Sequence, residues 1–112
     1  MARDPDPADV FALLDDEYAR GILRATKHEL MSAPELATEL NASRPTIYRR
    51  IEQLQELDLL EESTEFDPNG HHRNVYEATL ESLTVTLGDG FSVAVTRSEH
   101  PADALTDLWE GL

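Results

Sequence analysis

The residues Ser43-Arg44-Pro45-Thr46-Ile47-Tyr48-Arg49-Arg50-Ile51 carry the chemistry this chain offers most openly. They include three of the nine basic side chains and no acid, in a protein of formal net charge −14. An arginine fork matches guanine O6 and N7 in a bidentate pair, and a threonine can bond a base edge or press its methyl on thymine. Ser43 and the unpaired N–H groups at a helix start suit a phosphate oxygen. Arg44, Thr46 and Arg49 are therefore candidate base readers. Ser43, Tyr48 and Arg50 are candidate phosphate partners, with Pro45 in the same first turn. Ile47, Ile51 and Leu54 recur at i, i+4 and i+7, one apolar stripe, and belong to a core.

A helix must present these side chains. Ser43 is a good N-cap, and Pro45 fits the first turn, where its missing N–H is not needed. Upstream, Ser32 followed by Glu35 forms a capping box. It opens a short helix over Ala33 to Leu40, with Leu36, Ala37 and Leu40 inward and Asn41-Ala42 as a tight connection. Two capped helices joined by so short a turn, the second with Arg and Thr at its start, form a helix-turn-helix. The second helix is expected to run to about Asp58.

Before this pair, Asp6-Pro7 starts a helix whose apolar residues are Val10, Phe11, Leu13 and Leu14. Asp15-Asp16-Glu17 starts another, with Tyr18, Ala19, Ile22, Leu23 and Thr26 inward and an end near Lys27-His28. Gly21 inside it predicts close packing. After the pair, Leu59 to Phe66 reads as a strand and Asp67-Pro68-Asn69-Gly70 as a turn; Val75 to Leu80 is the return strand. His71, His72 and Arg73 lead out of that turn and are the remaining cationic cluster for a phosphate backbone; an ordinary exposed loop is the other reading of the two histidines.

A second hairpin follows. Leu83, Val85 and Leu87 alternate with Thr84 and Thr86, Gly88-Asp89-Gly90 turns the chain, and Phe91, Val93 and Val95 alternate with small polar residues. Its apolar face must pack on the helices or on a partner, since an isolated hairpin is marginal in water. In residues 100–112, Leu105, Leu108, Trp109 and Leu112 lie at i, i+3, i+4 and i+7. That spacing predicts a C-terminal helix for a homodimer interface; closure of the monomer core is the alternative.

The fold class expected is α+β: a winged helix-turn-helix with a β-hairpin wing, a second hairpin and a C-terminal dimerisation helix, all in one domain over residues 1–112. The helical core spans 6–58 with the helix-turn-helix at about 32–58, the wing 59–80, the second hairpin 82–97 and the last helix 100–112. With no cysteine, thiolate metal sites and thiol switches are excluded. His28, His71, His72 and His100 have no metal spacing, and no cofactor is expected. No stretch approaches membrane-spanning length, so the reading is a cytoplasmic protein without membrane contact.

Twenty-three acids face eight arginines and one lysine, dispersed along the chain. Such a lysine-poor acidic surface predicts a protein of a very salty cytoplasm, where a Debye length of ~3 Å at ~1 M salt screens its self-repulsion. The phrase from Ser43 to Ile51, the leading Val10-Phe11-Ala12-Leu13-Leu14-Asp15-Asp16-Glu17-Tyr18 and the segment Leu57-Asp58-Leu59-Leu60 resemble the compact ArsR-like regulators of haloarchaea. The resemblance covers roughly residues 8 to 80. It implies an archaeal homodimeric transcriptional regulator on a pseudo-palindromic operator in double-stranded DNA, with the Ser43 helix in the major groove and the Asp67–Arg73 wing by the minor groove. Salt cations bound at the DNA interface are expected to offset the acidic surface. The absence of cysteine departs from the family's metal sensors, so metal sensing is not carried over. A protein-interaction module is the second reading. An enzyme is the third, since no nucleophile–base pair or phosphate loop is visible.

Overall fold

A computed structural model describes residues 5–98. Four helices come first: α1 (Pro7–Asp15), α2 (Glu17–Ala25), α3 (Ala33–Glu39) and α4 (Arg44–Glu56). Two antiparallel hairpins follow, β1 (Leu60–Phe66) with β2 (His72–Ala78), then β3 (Leu80–Leu87) with β4 (Phe91–Arg97). The architecture is α+β and winged-helix-turn-helix-like. The expected C-terminal helix, with Leu105, Leu108, Trp109 and Leu112, lies outside the described residues.

Each helix start is fixed by a side chain. The carboxylates of Asp6 and Asp16 accept from the N–H groups of Ala8 and Ala19 and cap α1 and α2. At α3 the capping box is complete, Ser32 N–H donating to Glu35 Oε1 at 3.0 Å and Glu35 N–H to Ser32 Oγ at 3.3 Å. At α4, Thr46 N–H donates to Ser43 Oγ at 3.3 Å.

The helix ends of the helix-turn-helix share one device. Asn41 and Asp58 adopt left-handed φ values of 51° and 59° just past α3 and α4. In each case the next residue's N–H reaches back to the helix, Ala42 to Ala37 O at 3.0 Å and Leu59 to Leu54 O at 2.9 Å. These are Schellman ends, with Asn and Asp where glycine is commonest.

Ile22, Leu36, Ile47, Leu54 and Leu59 are fully buried at the centre, with Val10 on α1 and Val75 on the wing also buried. Gly21 is a point of close approach, since a Cβ there would stand 2.8 Å from Leu40 Cδ2. α2 stops at Ala25, earlier than the Lys27-His28 end expected. Thr26 turns its hydroxyl back to Ile22 O at 2.7 Å, and Lys27 leaves the helix to bond Leu80 O and Ser98 Oγ.

The wing's paired strands run closer to its tip, and stop sooner at its root, than the sequence suggests. His72 and Arg73 belong to β2, paired across from Phe66 and Glu65, so the turn is tighter than a loop running to Asn74. Gly70, with φ of +85°, closes it by donating to Asp67 O. Met31 forms an antiparallel bridge with Tyr76, its N–H and carbonyl both paired, which fastens the approach to α3 onto β2. Leu80, expected to end the wing, instead opens β3 opposite Arg97. Among the described residues, no helix is long and apolar enough to cross a membrane.

Candidate nucleic-acid interface

The helix α4 packs through Ile47, Ile51 and Leu54, all buried, so its outward face runs through Pro45, Arg49, Glu52 and Glu56 at i, i+4, i+7 and i+11. That face is split. Its first two turns hold Arg49, with Arg44 to one side; its last two hold Glu52 and Glu56. Only the N-terminal half has the sign to approach a phosphate backbone. Arg49 also lines a cleft of about 380 Å³ between α1 and α4, together with Asp9, Gln53 and Glu56.

The chain's own acceptors engage most of the described bases. Arg20 donates to Leu14 O, Lys27 to Leu80 O and Ser98 Oγ, and Arg97 to Leu57 O and Asp58 O. Among the described basic residues, only Arg24, Arg44 and Arg49 have side chains with no hydrogen bond or ion pair, and the last two lie in the first two turns of α4.

Two expected contact residues are placed differently. Arg50 does not stand beside the reading face: its Nε lies 2.9 Å from Asp16 Oδ2, and both side chains are partly buried. Asp16 thereby caps α2 and binds α4 at once. Partial burial pushes its carboxyl up, but the Arg50 hydrogen bond and the N–H of Ala19 outweigh this and hold it below the ordinary 3.8. Arg73 is a clasp between wing and helix-turn-helix. Its guanidinium meets Glu65 Oε1 at 2.9 Å and Glu35 Oε1 at 2.8 Å. The Glu65 hydrogen bond, working against desolvation and joined by Glu35, raises the Arg73 pKa. The Glu35 carboxyl is lowered, first by the Ser32 N–H and then by the Ser32 hydroxyl and Arg73.

The remaining expected residues are exposed or half-exposed. The Ser43 hydroxyl donates to Thr46 Oγ1 at 2.9 Å, leaving the Thr46 proton to donate elsewhere. Tyr48 is exposed. It lies on the wing side, close enough to act on Tyr76, whose hydroxyl donates to Glu62 Oε1 at 3.0 Å. Burial first, then Glu62 and Tyr48, push the Tyr76 phenol up to about 12. His71 and His72 are exposed at the wing end, with the His72 ring edge-on to Phe66 at 4.7 Å.

Sequence reasoning missed Asp16 and Glu35 as the partners of Arg50 and Arg73. The double duty of each carboxylate as helix cap and ion-pair partner leaves no local signature. It also missed Phe66 at the wing tip, whose ring is exposed. Residues 14–63 match a family model described as a helix-turn-helix domain, which spans α2, α3, α4 and the start of β1. No curated protein matches the chain.

Proposed function

We propose that this protein is a sequence-specific, DNA-binding transcriptional regulator of ArsR-like, haloarchaeal type. It acts in the cytoplasm as a homodimer on a pseudo-palindromic operator. The observation that carries the reading is the placement of Arg44 and Arg49, unengaged at the start of the second helix of a helix-turn-helix, while the chain's own acceptors bind the other described bases except Arg24. Arg49 and Arg44 read base edges from the major groove. Thr46 donates its hydroxyl proton to a base or phosphate, and Ser43, Pro45 and Tyr48 border the backbone. Arg50 and Arg73 contribute by holding α4 and the wing in place, and His71, His72 and the wing tip face the adjoining groove. The C-terminal stripe of Leu105, Leu108, Trp109 and Leu112 contributes to the dimer.

The acidic half of α4 makes salt part of this reading. Glu52 and Glu56 follow Arg49 on one face, so a duplex lying along the helix meets carboxylates after one good contact. Cations held between these acids and the phosphates offset the repulsion, and operator affinity changes little as KCl rises toward molar levels. An ordinary phosphate-neutralising protein loses ~10³–10⁵ in affinity over a four-fold rise in salt; a loss that steep would refute the cation bridge.

Replacing Arg49 by Ala tests the base contact. The side chain is exposed and unpaired, so the fold is expected to survive, while discrimination at one base position per half-site falls by ~1–3 kcal/mol. A footprint and base preference identical to those of the parent chain would remove Arg49 from the interface.

A further inference from the structure

The β3–β4 hairpin carries three rungs in which an apolar side chain faces an apolar side chain: Leu83 with Val95, Val85 with Val93, and Leu87 with Phe91. All six lie on one side of the ribbon, and the helices cover only part of it. Val93 is buried and Leu83 and Val95 are half-buried, whereas Val85 is 45% exposed, Phe91 62% and Leu87 70%. Phe11 of α1, itself 41% exposed, sets its ring edge-on to Phe91 at 6.4 Å and extends the patch.

The charge pattern says what can cover this patch. Residues 82–96 contain one charged side chain, Asp89 in the turn, on a chain of net charge −14. Two copies of so acidic a protein repel each other through most of their surface. Their approach meets least repulsion where the charge is missing, and the missing charge coincides with the exposed apolar rungs.

We infer that the apolar face of β3–β4, with Phe11, is a surface on which a second copy of this chain docks. This deepens the homodimer reading above by placing the contact on the second hairpin, in addition to the C-terminal stripe. Two such ribbons pack face to face about 10 Å apart, Leu87 and Phe91 of one against their counterparts, as in a small sandwich. A two-fold axis through the patch makes the contact isologous, with the same residues on both sides.

The test uses the full chain. Leu87→Asp and Phe91→Asp place a carboxylate in the contact, and each is expected to convert a sedimenting dimer to monomer while the helical circular dichroism is kept. Because the chain has no cysteine, Leu87→Cys supplies a clean probe, expected to give a disulfide-linked dimer on mild oxidation. A dimer that persists in both aspartate variants overturns the inference. So does a parent chain that sediments as a monomer while its lone Trp109 changes emission in Phe91→Asp, since residues 99–112 of the same chain would then occupy the face. Base discrimination by Arg49 is measured on each half-site separately, so failure of the docking surface is distinguishable from failure of the DNA reading.

Discussion

The wing and the second hairpin pair their strands in the same antiparallel way and differ by one residue in length, yet their surfaces have little in common. The wing exposes Glu61, Glu62 and Glu65 along β1 and seats the end of β2, Val75, Tyr76 and Ala78, in the core. Its one base, Arg73, is clasped to α3 through Glu35. The second hairpin has no charge between its base and its turn, buries only Val93, and is fastened mainly at its root by Lys27, Arg97 and the Ser98 N–H on Thr79 O. One hairpin is a charged arm whose attachment is apolar. The other is an apolar arm whose attachment is polar. An acidic chain can present both because its repulsion is spread over the first and withheld from the second, and the two arms are suited to different encounters.

The largest way to break the comparison is to cut the wing's apolar attachment. Leu60→Ala empties a site 3% exposed beside Leu59 and Tyr76 and is expected to cost about 2–5 kcal/mol in urea unfolding. Val85→Ala, on the exposed face of the second hairpin, is expected to change the midpoint only through its dependence on protein concentration. Equal losses from both, independent of concentration, would mean that the second hairpin is part of the monomer core after all.

Which parts of this contrast the sequence reveals follows from the range of the forces involved. Ser32 with Glu35, Ser43 with Pro45 and Asp6 with Pro7 act within a turn of chain, so the helix starts are readable directly. The alternation in β3 and β4 shows an apolar face; it does not say that the helices leave Val85, Leu87 and Phe91 open, because cover depends on where α1 arrives. The Met31–Tyr76 bridge involves one residue on each side and has no pattern at all. Of the expected contact residues, Arg44 and Arg49 are exposed on α4, whereas Arg50 and Arg73 are taken by carboxylates far away in sequence. An arginine's reach is long, and its charge alone does not say which acid it meets.

A smaller effect sharpens the wing's side of the contrast. Tyr76 is buried at the wing root, and its pKa is raised in the folded state from 10.0 to about 12. A group whose pKa is raised by folding stabilises fully below its unfolded value and loses that stabilisation as pH climbs through the folded value. The wing is therefore expected to hold to about pH 10 and to loosen between there and 12, read as a phenolate absorbance step with a late midpoint. Tyr76→Phe removes the step and, with the Glu62 hydrogen bond, about 0.5–1.5 kcal/mol. A Tyr76 titration near 10 would place that phenol in water and detach the wing root from the core.

The smallest effect concerns Arg73, and it decides what the charged arm does. Glu35 and Glu65 already satisfy its guanidinium at the surface, so its removal takes little from stability and leaves two glutamates facing each other at the junction of wing and α3. Arg73→Ala is expected to speed amide exchange in β1 and β2 near Glu65 and His72 while the second hairpin is unchanged. On the proposed function, DNA affinity is expected to fall by much less than in Arg49→Ala, because a base neutralised within the chain has little charge left for phosphate. If the two substitutions weaken DNA binding equally, the clasp must open on the duplex, with Arg73 exchanging two carboxylates for a phosphate. The wing would then be a moving contact, and its difference from the second hairpin would be one of motion as well as charge.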